Sequence, residues 1–270
     1  MPSTSKKQRQ QQRRRSSAQA RQAAAQAARR TSRRKWAVVA TFLIMILVLG
    51  LAQIVDTGGG EQDAPVNLVA PLQGATITGD TPCPDPSGES PRTTAFEKPP
   101  PMCIDPTRAY AAAIETSKGL ITVDLDVRNA PKTVNNFVVL SRYHFFDGIP
   151  FHRIAAGQYI QGGSPTATGS GGPGYQFEDE LPVTPYRIGT MAMANAGADT
   201  NGSQFFFVIG DRGVDVLQAQ PAYSILGQVS QGMNVLEAIE ERGSVESATD
   251  PNGGLPTEVI TIESVTIKET

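Results

Sequence analysis

The sequence predicts a mainly β fold, an antiparallel sheet closed or sandwiched around helical plugs and preceded by one transmembrane helix. Three observations predict it: a strictly alternating pattern over Ile121–Val127, two short helical patterns set far apart, and a 20-residue apolar run without charge. Many short strands between turn signals, with so few helices, argue against a βαβ repeat.

The apolar run, Trp36 to Val55, carries only Thr41 and Gln53 as polar side chains. At about 1.5 Å rise per residue it can cross a hydrocarbon core of about 30 Å, so residues 36–55 are predicted to span a membrane. Residues 1–35 hold 12 Lys or Arg and no acid, which predicts a basic disordered tail retained on the cytoplasmic side. The C-terminal part then lies outside the cytoplasm, in a single-pass protein of the cell membrane. A cleaved signal peptide is the alternative, with Gly50-Leu51-Ala52 as its small-residue site. The formal charge of -2 is a cancellation: beyond residue 35, 12 basic residues face 26 acidic ones. That acidic balance argues against nucleic acid as a partner.

Residues 56–108 are dominated by Gly, Pro, Asp, Thr and Ser, with short apolar runs such as Val66–Ala70, and predict a linker or stalk. Cys83 and Cys103 fall in it, on the oxidising side of the membrane, so a disulfide closing a Pro-rich loop is one reading and two free thiols the other. Neither has His neighbours at ligand spacing, and no metal is expected.

Regular pattern begins at Tyr110. YAAAIETSKGLITVDLDV predicts two strands joined at Ser117-Lys118-Gly119, with Ile121, Val123, Leu125 and Val127 on one face and Thr122, Asp124 and Asp126 on the other. In APKTVNNFVVLSRY, Pro131 suits a first helical turn, and Val134, Phe137, Val138 and Ser141 give a short amphipathic helix. A second helix is predicted over Gly232–Arg242, with Met233, Leu236 and Ile239 on one stripe and Gly243 as its stop. EVITIESVTIKE closes the domain, 109–270, with another strand.

Two motifs carry chemistry. Phe151-His152-Arg153-Ile154 followed by Gln161-Gly162-Gly163 sets an arginine and a glutamine across a predicted hairpin. MANAGADTNGSQFFF, Met193 to Phe207, joins a small-residue turn to an aromatic strand. With APKTVNNF before them and GYQFEDE between, in this order and spacing, these motifs closely resemble the cyclophilin family of peptidyl-prolyl cis-trans isomerases from about Tyr110 to Lys268. The resemblance implies an eight-stranded antiparallel β-barrel capped by two helices. It also implies proline-containing polypeptides as substrates, no cofactor and a monomeric enzyme.

Rotation about an X-Pro bond meets a barrier of about 18–20 kcal/mol set by amide resonance, and it needs no nucleophile. By resemblance Arg153 is the catalytic cation, Gln161 orients the substrate carbonyl, and Phe206 meets the proline ring. Phe151, Tyr159, Leu217 and Tyr223 complete the apolar surroundings. Ala194, Asn195 and Ala196 give an edge along which an extended peptide lies, and Gln204 bonds it.

Three positions depart from the family pattern. Gln158 stands where an aromatic side chain commonly lines the proline pocket, which lowers the expected activity and leaves a proline-peptide binding or chaperone module as the alternative function. Val216 stands where some members carry a tryptophan, and Tyr223 where a histidine is common. Among other candidates, the run Gly169–Gly174 lacks a Gly-Lys-Ser/Thr ending and reads as a surface turn. Glu178-Asp179-Glu180 reads as a solvated acidic turn, and His152 as a structural neighbour of Arg153.

Overall fold

In the computed structural model, which describes residues 66–244 and 254–270, the first regular elements are two short strands, β1 (Ala75–Ile77) and β2 (Thr93–Phe96), paired in parallel. Residues 36–55, predicted to span a membrane, lie outside the described residues, among which no helix is long and apolar enough to cross one. The alternating stretch folds as predicted into a hairpin of β3 (Tyr110–Thr116) and β4 (Gly119–Leu125), with Ile121 and Val123 wholly buried and Asp124 at the solvent face. Helix α1 (Pro131–Arg142) follows. Then come β5 (Arg153–Ala155), β6 (Tyr159–Gly162), β7 (Thr190–Met193) and β8 (Phe205–Val208). Helix α2 (Asp211–Ala219), β9 (Ile225–Gln231), helix α3 (Met233–Glu240) and β10 (Ile262–Glu269) complete the domain.

Strands β3 to β10 form one antiparallel sheet in the order β10-β3-β4-β9-β7-β8-β6-β5. Cumulative strand twist curls it into a half-barrel. The expected closed barrel is therefore approximate: β5 and β10 form no ladder with each other. The gap is bridged just before them, where the amides of Gly148 and Phe151 donate to the carbonyls of Ile262 and Ile260, and Ile262 returns a bond to Ile149. Inside the curl lies the main core, with Ile114, Ile121, Phe137, Leu140, Phe205 and Phe207 fully buried. Helices α1 and α3 pack on this core, as the two predicted helices should.

Among the described residues there is a third helix, α2, beyond the two that the sequence predicts. Only Gly213 and Leu217 of its nine residues are buried, and Gly213 in its first turn is a poor helix former that reads as a turn signal in sequence.

Over its described part, residues 66–108, the linker reading of 56–108 is corrected by the structure, and so is the start of the domain at 109; residues 56–65 lie outside the described residues. Phe96 (2% exposed) and Ile104 (6%) belong to the main core. The segment is stitched down by bonds from the Thr93 amide to the Tyr143 carbonyl and from the Tyr143 hydroxyl to the Pro82 carbonyl. Cys83 and Cys103 are disulfide-bonded, with Cα atoms 5.4 Å apart. The strap also covers part of the polar side of α1, whose residues Thr133 to Arg142 are all buried despite an amphipathic sequence pattern. Asn135, on the side that periodicity assigns to water, accepts from the Cys103 amide at 2.7 Å and donates to the Pro101 carbonyl at 2.9 Å. A buried asparagine is tolerable because the strap satisfies it.

The acidic turn is also more than a solvated face. Helix α1 has no capping side chain of its own at Ala130. Glu180 supplies one from a distance, accepting from the amides of Lys132 and Thr133 at 3.2 and 2.7 Å, while Glu178 pairs with Lys132. A carboxylate at a helix N-terminus satisfies orphan donors and meets the positive end of the helix dipole.

Candidate active site

Strand register sets one row of side chains across the outer face of the sheet. Arg153 on β5 pairs with Gln161 on β6, Gln161 with Phe206 on β8, and Phe206 with Ala192 on β7. Directly paired residues point to the same face, so a cation, an amide and an aromatic ring lie side by side. The neighbouring residues Phe205 and Phe207 point inward to the core.

Phe206 belongs to a second, smaller apolar cluster on this outer face with Tyr186, Ala192, Val208, Leu217 and Ile225. Its ring meets Tyr159 at 5.9 Å and Tyr223 edge-on at 5.5 Å between centroids. Only 5% exposed, it is the buried centre of that cluster. Helix α2 earns its place here, bringing Leu217 against the cluster while Val216 stays in solvent. Tyr186, which the sequence reading passed over, fixes Tyr223: its hydroxyl donates to the Tyr223 carbonyl and accepts from the Tyr223 amide. Burial raises the pKa of both tyrosines, which keeps the hydroxyls protonated.

The Arg153 guanidinium sits over the Tyr159 ring, 5.0 Å from its centroid. Tyr159, the neighbour of Gln158, thus touches both the arginine and the Phe206 cluster. Beside Arg153, burial and then the arginine charge push His152 down to about 4, so the imidazole is neutral and Arg153 is the fixed charge.

Next to this cluster, with Ala194 common to both, lies a groove of about 780 Å³ lined by Gln161, Gln204, Ala194, Asn195 and Ala196 and by Gly169–Gly172 and Gly174–Gln176. Gln161 donates to the Gln204 side-chain oxygen at 3.1 Å, and Gln204 donates to the carbonyls of Gly169 and Gly171. The Asn195 side chain is committed to Asp179 and the Ala222 carbonyl, so its part is to shape the edge. Asp179 also accepts from Asn201 and the Asp199 amide, tying the acidic turn to the Asn195–Asn201 loop.

Of the predicted site residues, Arg153, Gln161, Phe206, Tyr159, Leu217 and Tyr223 meet around the row, and Ala194, Asn195, Ala196 and Gln204 line the groove beside it. Phe151 does not join them. It is 0% exposed and packs in the main core, its ring 6.5 Å from Phe207, so it cannot touch a substrate. The chain changes hydrogen-bonding partner there, the Phe151 amide bonding to Ile260 and the His152 amide to Gln161. That switch breaks the alternation that would have put Phe151 on the face of Arg153. The run Gly169–Gly174, read as a surface turn, proves to be a wall of the groove. No metal-binding cluster is present among the described residues.

The family model described as cyclophilin type peptidyl-prolyl cis-trans isomerase/CLD matches residues 111–267. The chain is 39% identical over 143 residues to a Helicobacter pylori peptidyl-prolyl cis-trans isomerase, covering 52% of this chain and 85% of that one. It is 40% identical over 184 residues to the Mycobacterium tuberculosis peptidyl-prolyl cis-trans isomerase A, covering 60% and 94%. Among solved structures, a Cryptosporidium parvum cyclophilin type peptidyl-prolyl cis-trans isomerase superposes with a TM-score of 0.53 at 31% identity, covering 60% of this chain and 99% of that one. A second structure of that protein, in the presence of the dipeptide Ala-Pro, gives a TM-score of 0.52. The row of Arg153, Gln161 and Phe206, the fold that aligns it and the match over residues 111–267 agree on one assignment: the chain belongs to the cyclophilin family of peptidyl-prolyl cis-trans isomerases.

Proposed function

We propose that this chain rotates X-Pro peptide bonds in polypeptides laid along the groove, with Arg153, Gln161 and Phe206 as its catalytic row. The observation that carries this is the strand register that puts the three on one face in adjacent positions. A proline ring on Phe206 brings its preceding amide beside Arg153. The guanidinium donates to the proline nitrogen as it pyramidalises, or to the neighbouring oxygen, and weakens the resonance that resists rotation. No bond breaks and no proton leaves, so a permanently charged rigid donor suits the task better than a titrating base. Gln161, held by Gln204, orients the substrate carbonyl.

The activity serves exported proteins. Residues 36–55 anchor the domain, the 12 cations of residues 1–35 stay cytoplasmic, and the isomerase faces the outside. The bonded Cys83–Cys103 pair supports this reading, since such bonds persist in oxidising compartments. Carbonate extraction of membranes and protease protection of intact cells test the anchor.

The test of the site is isomerisation of a proline peptide by the full chain, with Arg153→Ala alongside. Wild-type acceleration lost by a factor of about 10²–10³ in the variant supports the proposal, as removal of one transition-state donor commonly does. A folded wild type that binds the peptide without turning it over favours the binding-module function that Gln158 raises.

A further inference from the structure

The catalytic row lies within residues 111–267, matched by the family model, but the groove beside it is backed by residues that are not. The Phe96 amide donates to the Pro173 carbonyl at 2.7 Å. Its ring, 2% exposed, is 6.3 Å from Tyr175 and 5.4 Å from Tyr143 between centroids. Gly174 has φ +111°, and a Cβ there would stand 2.3 Å from the Phe96 carbonyl oxygen, so strap and groove wall press backbone to backbone.

A second chain of contacts reaches another side of the groove. The Tyr175 hydroxyl donates to Asn136 at 2.6 Å, and Asn136 donates to the Gly202 carbonyl at 2.8 Å. Gly202 and Tyr175 both line the groove. The adjacent Asn135 holds the strap at Pro101 and Cys103, and the Cys83–Cys103 bond closes the loop in which Phe96 sits.

We propose that the strap is a specificity-determining part of this isomerase, with Phe96 as the positioning residue that sets the Gly172–Gln176 wall and so the fit of residues flanking the proline. It rests on the groove reading above. The wall holds two glycines, Gly172 and Gly174, and the packing it has, through Pro173 and Tyr175, leans on Phe96 and Asn136, so its place is set by what stands behind it. Phe96 touches no substrate; it acts through Pro173, Gly174 and Tyr175. The proline itself is held by Phe206, Tyr159, Leu217 and Tyr223, away from the strap.

This separation gives the test. Affinity of the full chain is measured for the dipeptide Ala-Pro and for a longer peptide with Ala-Pro at its centre, together with KM and kcat on the longer peptide. Phe96→Leu should raise Kd and KM for the longer peptide about three- to tenfold while kcat and the Ala-Pro affinity hold, the pattern of lost uniform binding. The pair Cys83→Ser/Cys103→Ser, which loosens the strap without touching Phe96, should move the same ratio in the same direction. Phe145→Leu, equally buried but away from the wall, should leave the ratio alone. An unchanged ratio in folded Phe96→Leu, an equal loss for Ala-Pro, or an equal shift in Phe145→Leu overturns the proposal. Wild-type turnover reports separately on the isomerase reading, because the ratio of affinities needs binding alone.

Discussion

The guanidinium carbon of Arg153 stands 5.0 Å from the centroid of the Tyr159 ring, while the same ring meets Phe206 at 5.9 Å. One tyrosine thus positions the cation and flanks the Phe206 cluster, and the two duties can be separated. Tyr159→Phe keeps a π face for the guanidinium and should retain kcat/KM within about twofold. Tyr159→Leu keeps apolar bulk but loses the cation site, worth about 0.5–1 kcal/mol at a partly exposed position, so kcat/KM should fall about two- to fivefold. Steady-state isomerisation of the two variants checks this. Equal loss in both would assign the ring's importance to its hydroxyl.

Glu180 should matter for stability rather than turnover. Its carboxylate replaces the missing cap of α1, and its own amide donates to Ser224 at 2.8 Å. Glu180→Ala leaves two amides of the first helical turn without partners and should cost about 1–2 kcal/mol. Glu180→Gln still accepts but gives up the charge, and should cost less. Thermal unfolding of the two variants, compared with isomerisation rates that stay near wild type, decides it.

What the sequence made legible follows from how each feature is encoded. The hairpin of β3 and β4 and the helices α1 and α3 announce themselves through local periodicity, and the catalytic row through motifs whose spacing is fixed by the β5–β6 hairpin and the pairing with β8. The strap is not written that way. Phe96 and Ile104 are isolated apolar residues in a Pro-rich stretch, and what holds them is long-range: Asn135, Tyr143 and Pro173 are remote in the chain. The glycine wall was missed for the opposite reason, since its contribution is the space that absent side chains leave. Phe151 was placed at the site by resemblance alone, and a motif match does not say that the chain changes hydrogen-bonding partner between Phe151 and His152 and turns the ring into the core.

The Cys83–Cys103 bond should be a substantial source of stability for the strap. It closes a loop of sequence separation 20, for which chain entropy predicts about 3 kcal/mol. The strap buries α1 and backs the core at Phe96, so its release should lower the unfolding temperature of the whole domain rather than fray a terminus. Calorimetry of the full chain before and after thiol reduction measures this. Loss of a separate early transition with the main one unmoved would show the strap to be an independent unit.

His152 makes acid stability a test of the site's electrostatics. Burial and then the Arg153 charge lower its pKa from the ordinary 6.5 to about 4, and its Nδ1 atom is buried without a partner among the described residues. Between those two pH values the unfolded chain binds a proton at this residue that the folded chain refuses. Stability contributed by the neutral imidazole is therefore fully present above about pH 6.5 and is lost as pH falls toward 4, with no further loss from this group below that. The shift sets an upper bound of roughly 3 kcal/mol on the effect. His152→Asn removes the titration while keeping a polar side chain under Gly169, whose Cβ position lies 3.2 Å from the imidazole. The wild type should lose stability faster than this variant between pH 6.5 and 4 in denaturant titrations, and the two curves should run parallel below. Parallel curves through the whole range would mean that the imidazole is solvated enough to take up its proton in the folded state.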